Sequence, residues 1–218
     1  MTVAGTQFLM LAFRKDGQSN TEKSFIEMEV KVIIKDSEVN QLHLIKDYFA
    51  LGVATCGVGY IPFAPGTWGS LVGVGIYLLA KEMSEWFAVW AEEHHLTLSL
   101  LESSRATFTL IFLIVLFLAG VWASNRVEKL TGKKDNQIIV IDEVVGQLVT
   151  FLFVPGKLGW WTVGVGFLAF RTADIWKPYP TQKFESLPFG LGAMADDAMA
   201  GFYAAAFMSL LCSLYLAL

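Results

Sequence analysis

Residues 106–124 read ATFTLIFLIVLFLAGVWAS, nineteen positions without a charge. At about 1.5 Å of rise per residue, a helix of that length nearly covers the roughly 30 Å hydrocarbon core of a bilayer. A bilayer offers the backbone no water, so an isolated span of this kind closes its hydrogen bonds as a helix. The whole chain agrees with that reading: of 218 residues, 55% are hydrophobic and 17% charged, against about 25% charged in a soluble domain. Sixteen basic and 20 acidic residues give a net charge of −4, which implies no basic face for nucleic acid. Cys56 and Cys212 lie in apolar stretches and form neither a CxxC nor a metal-ligand spacing, so they read as buried thiols.

Outward from this span, Ala198–Leu218 is also uncharged. Ile138–Val154 is apolar but interrupted by Asp142, Glu143 and Gln147, and Trp160–Trp176 is interrupted by Arg171 and Asp174. Leu51–Ala80 is apolar and glycine-rich, with Pro62 and Pro65. Its first half reads as a loop or re-entrant segment, and Ser70–Ala80 as a helix extending to Trp90. The expected fold is all-α, a polytopic membrane bundle of five segments, with the first partly re-entrant as the alternative. Residues 1–47 mix both charge signs, include a strand-like alternation over Glu27–Val32, and read as a polar cytoplasmic extension. Residues 48–218 read as the membrane-embedded domain.

Charge in the loops sets an orientation. Residues 125–137 hold Arg126, Lys129, Lys133 and Lys134, whereas 81–105 hold Lys81 and Arg105 against five glutamates. Lys and Arg near span ends favour the cytoplasm, so 125–137 is expected inside, 81–105 outside, and 177–197 inside by alternation. Trp68, Trp122 and Trp176 then fall near the inner interface, and Trp86, Trp160 and Trp161 near the outer one.

With this orientation the polar interruptions fall at one depth. Asp142 and Glu143 begin one span, and Arg171, Asp174 and Lys177 end the next. Asp196 and Asp197 precede the last, and the stretch Ala64-Pro65-Gly66-Thr67-Trp68-Gly69-Ser70 precedes the first helix. Glu143 and Gln147, four apart, share a helix face. Steps of three fan Arg171, Asp174 and Lys177 over roughly 120° of one side. Each group alone has a plain reading: an Asp at a helix start is a cap, Arg171 with Asp174 is an intrahelical ion pair, and APGTWGS is a turn. Together, five carboxylates and two cations in one layer form a poor structural device and a good metal–phosphate site. Mg²⁺ takes oxygen ligands along with substrate phosphate, Arg clamps phosphate bidentately, and Lys adds a point charge. His43, His94 and His95 lie outside the layer, and no GxxxxGK[ST] loop is present, so phosphohistidine and P-loop chemistry have no candidates.

Four runs carry a resemblance: Ala64-Pro65-Gly66-Thr67-x-Gly69-Ser70; Ile141-Asp142-Glu143-x-x-Gly146; Phe170-Arg171-x-x-Asp174-x-x-Lys177-Pro178-x-Pro180; and Gly192-x-Met194-x-Asp196-Asp197-x-x-Ala200-Gly201. In content, order and spacing they resemble the signatures of the phosphatidylglycerophosphatase A family, over about residues 45–218. Where the family has Ser-Pro, this chain has Ile61-Pro62, and the family's Gly-Ile-Met run reads Gly192-Ala193-Met194. The resemblance implies a Mg²⁺-dependent, multi-pass enzyme of the bacterial inner membrane. It implies conversion of phosphatidylglycerophosphate, a membrane phospholipid, to phosphatidylglycerol, and the loop charges place the site on the cytoplasmic side. Residues and resemblance together assign roles. Glu143, Asp174, Asp196 and Asp197 are metal ligands, directly or through water, and Asp142 is a ligand or supports one. Arg171 and Lys177 hold the phosphate, and Thr67 and Ser70 are placed to hydrogen-bond the head group. Rival readings are a phosphatase for another lipid phosphate and a cation-coupled transporter; the latter predicts charges near the midplane and an internal repeat, neither of which is seen.

Overall fold

Pro65 opens a long helix at the position where a missing N–H costs nothing, after Ala64 has turned the chain through the left-handed region at φ 47°. That helix is α1 (Pro65–Glu93) of the computed structural model, followed by α2 (Leu98–Thr131), α3 (Ile141–Thr150), α4 (Trp161–Trp176), α5 (Thr181–Phe184) and α6 (Leu191–Ala217). The structure describes residues 43–134, 136–155, 158–184, 187–188 and 190–218. Among them every regular element is a helix, residues 47–55 included. The alternation expected over 27–32 lies outside the described residues. The chain divides into two compact units, Met1–Lys46 and Asp47–Leu218; all that follows concerns the second.

Two helices, α2 from Ser99 and α6, are long and apolar enough to cross a membrane. Only 17% and 33% of their most apolar stretches are buried in the protein. A core helix of a soluble protein would be mostly covered, so these apolar faces suit lipid. The expected crossing 106–124 lies inside α2, which runs on until Gly132 closes it at φ 68° with its N–H on the Glu128 carbonyl.

Other boundaries differ from the sequence reading. The expected outer loop 81–105 is mostly helix, with a turn only at 94–97, because Lys and Glu are good helix formers and mark an exit from lipid rather than the end of a helix. The span expected over 138–154 is the ten-residue α3, about 15 Å long and half a hydrocarbon core. The final helix starts at Leu191, seven residues earlier than expected, and so takes in Asp196 and Asp197.

Short α3 is the hub. It packs against α6 and α1 and also touches α2 and α4. Its crossing with α6 is set by two glycines: a Cβ on Gly201 would fall 2.4 Å from the Gly146 carbonyl oxygen, and one on Gly146 would fall 2.6 Å from the Asp197 carbonyl oxygen. Backbone contact of this kind holds helices together even where lipid removes the hydrophobic drive between them. The other side of α3 buries Ile141, Val144 and Val145 against Val127, Met194 and Ala54. Residues 47–55 are tied in by Val140 N–H donating to the Ala54 carbonyl at 2.8 Å and by the Asp47–Arg126 ion pair. Phe170 of α4 is wholly buried, packed with Ala200 and Ala204 of α6.

Candidate active site

Asp142 and Glu143 occupy the first turn of α3, where the unbonded amides favour negative charge. The Glu143 N–H donates to Asp142 Oδ1 at 3.2 Å. The α3–α6 crossing at Gly146 brings Asp197 against this turn, and one oxygen from each of Asp142, Glu143 and Asp197 lies within 4.8 Å of the other two. Asp142 and Asp197 are buried. Asp174 of α4 is near enough to Asp197 for the two charges to act on each other. Glu143 Oε2 is buried with no hydrogen-bond partner among the described residues. Like charges held this close in a poorly solvated place repel strongly unless a cation or shared protons offset them.

The cations come from α4. Arg171 Nη1 bonds Asp174 Oδ2 at 2.7 Å and donates to Ser70 Oγ at 3.4 Å. Its Nε and Nη2 have no partner among the described residues. Lys177 is not the next helical position after Asp174 in the expected fan. It caps α4 in the left-handed region (φ 48°, ψ 62°), and Pro178 cannot continue the helix. Its Nζ reaches Asp196 Oδ2 at 2.6 Å.

The first turn of α1 forms the remaining wall. A Cβ on Gly66 would collide with Glu143 Oε1 and come within 3.3 Å of Arg171 Nη1, so this turn closes tightly on both side chains. Ser70 is fully buried and donates to the Gly66 carbonyl at 2.9 Å. It accepts from Arg171, which sets it against the guanidinium. Thr67 lies half-buried in the same turn.

The structure thus brings Asp142, Glu143, Arg171, Asp174, Lys177, Asp196 and Asp197 together at one end of α3, α4 and α6. Among the described residues the cluster able to hold an ion is Asp142, Glu143 and Asp197. Asp174 and Asp196, also expected as ligands directly or through water, each bond a cation, Arg171 and Lys177 respectively. The N-cap of α6 is Gly190, not an aspartate, so Asp196 and Asp197 have no capping role. A donor set of carboxylate oxygens without His or Cys, one oxygen of which is buried and unsatisfied, fits a hard cation such as Mg²⁺. In sequence, Gln147 interrupts an apolar stretch and shares a helix face with Glu143. It proves to be wholly buried beneath the cluster, with neither amide atom bonded among the described residues.

The sequence model of the phosphatidylglycerophosphatase A family matches residues 52–212. A Bacteroides thetaiotaomicron protein, provisionally named a phosphatidylinositol-3-phosphatase, is 38% identical over 149 residues, covering 67% of this chain and 82% of that one. Proteins named phosphatidylglycerophosphatase A from Haemophilus influenzae and Escherichia coli are 35% and 29% identical, covering 78% and 77% of this chain and 88% and 84% of theirs. No solved structure matches the chain.

Proposed function

The chain belongs to the phosphatidylglycerophosphatase A family, and on that premise we propose that it hydrolyses phosphatidylglycerophosphate to phosphatidylglycerol and phosphate, with Mg²⁺, at the cytoplasmic face of a bacterial inner membrane. The observation that carries this reading is the meeting of Asp142, Glu143 and Asp197 within 4.8 Å, beside Arg171 and Lys177. A cation site and a phosphate clamp in one layer are what a phosphomonoester requires.

Asp142, Glu143 and Asp197 would hold the ion. When bound, Mg²⁺ supplies an activated water and offsets charge on the phosphoryl oxygens. Arg171 is held by its Nη1 on Asp174 and Ser70, and presents Nε and Nη2 as a two-pronged donor to the phosphate. Lys177 adds a positive charge whose position is fixed by Asp196. The glycine at 66 keeps side-chain bulk out of the space beside Glu143 and Arg171. An apolar groove of about 370 Å³, lined by Leu113, Phe117, Val145, Val149, Ala195 and Met199 among others, runs along α2, α3 and α6. It supports a substrate with acyl chains. In the bilayer we place five segments, with α3 reaching half depth and the turn at 94–97 outside.

A second reading keeps the chemistry and changes the lipid; the relative named for an inositol lipid favours it. Purified protein in detergent micelles separates the two by phosphate release from phosphatidylglycerophosphate, phosphatidylinositol 3-phosphate and phosphatidic acid. The expected order puts phosphatidylglycerophosphate first by at least about tenfold in kcat/KM, a margin of about 1.4 kcal/mol in transition-state binding. Preference for the inositol lipid selects the second reading, and release from none of the three overturns both.

A further inference from the structure

Gln147 lies one turn along α3 from Glu143 and is fully buried, yet neither its Oε1 nor its Nε2 has a hydrogen-bond partner among the described residues. Glu143 Oε2, above it, is in the same condition. Residues four apart on a helix lie within side-chain reach of each other. Both pack on one glycine-lined wall: Gly66 of α1 faces the Glu143 carboxylate, and a Cβ on Gly73 would fall 2.9 Å from Gln147 Cβ. Glycine there has no side chain to bond the amide. A buried polar side chain without a partner costs stability that an apolar one of the same shape would not, so retaining an amide at this position calls for a partner present in the working state.

We propose that Gln147 is a positioning residue for the carboxylate cluster: its amide donates to the buried oxygen of Glu143 and turns the other oxygen toward an ion shared with Asp142 and Asp197. The inference rests on the metal reading above. A carboxylate that gives one oxygen to a cation keeps charge on the other, and a fixed donor there sets its orientation. Loss of such an outer partner typically weakens metal affinity by about 10–100-fold.

The test is Mn²⁺ binding by electron paramagnetic resonance, on the full chain in detergent micelles, with thermal melting of the metal-free protein measured in parallel. Gln147→Met, close in shape and apolar, is expected to raise the Mn²⁺ Kd by about 10–100-fold while the metal-free Tm stays level or rises. In a Glu143→Gln background the same substitution is expected to add nothing. If Gln147→Met does not fold, Gln147→Leu serves with the same expectations. Wild-type protein that binds Mn²⁺ while the Gln147 variant binds equally well, with a lowered Tm, overturns the inference alone and makes Gln147 a packing residue. Wild-type protein that binds no Mn²⁺ overturns the metal reading and this inference with it.

Discussion

Arg171 uses one nitrogen twice: Nη1 serves both Asp174 and Ser70, and the proposed mechanism gives the rest of the guanidinium to the phosphate. Lysine keeps the charge but has no fork, so it must either abandon Asp174 or meet phosphate with a single ammonium. Arg171→Lys is therefore expected to lower kcat/KM by about 10–100-fold, since a charged hydrogen bond contributes about 1.5–3 kcal/mol. Steady-state phosphate release measures it. Near wild-type kinetics would leave Arg171 as an ion-pair partner of Asp174 and nothing more. The residue types of the site were legible in the sequence, because seven ionisable groups interrupt otherwise apolar spans. Their division of labour was not. Asp196 and Asp197 are neighbours in sequence, but adjacent helical residues point about 100° apart. One therefore meets Lys177 and the other meets Asp142 and Glu143. That split depends on the helix already running at Leu191, which a start at Ala198 concealed.

At the scale of elements, hydropathy reports where chain meets lipid and says little about where a helix stops. The uncharged core of α2 was plain, but its ends lay in charged, helix-forming sequence. The ten residues of α3 look like a full span in sequence because the apolar residues after Thr150 continue in turns. What the sequence held without displaying was the purpose of its glycines: Gly146 and Gly164 look alike on paper. A Cβ on Gly146 would strike the Phe170 ring at 2.4 Å and the Asp197 carbonyl at 2.6 Å, whereas one on Gly164 meets nothing within 4 Å. Gly146→Ala is expected to lower stability by about 1–3 kcal/mol, as overpacking does, and to cut activity by shifting Asp197. Gly164→Ala is expected to be neutral or to stabilise by under about 1 kcal/mol through helix propensity. Thermal melting and turnover of the two variants, side by side, check the contrast.

For the whole molecule, the proposed orientation depends on Arg126, Lys129, Lys133 and Lys134, which cluster at one end of α2, the end where the site residues gather. After replacement of Cys56 and Cys212, Lys133→Cys is expected to be shielded from an impermeant thiol reagent added to intact cells, and His95→Cys, in the turn at 94–97, to be labelled. The reverse pattern would put the entire carboxylate layer on the outer face and separate it from lipid made inside. The fold gathers acidic groups from three helices, brings Asp142, Glu143 and Asp197 close enough to share a cation, and sets Arg171 and Lys177 beside them, so the proposal stands or falls on the ion. Its most direct test is phosphate release from phosphatidylglycerophosphate by purified protein, first stripped with EDTA and then resupplied with Mg²⁺. The account predicts no release in chelator, full recovery with Mg²⁺, and no recovery in Asp197→Asn. Undiminished release in EDTA would contradict it.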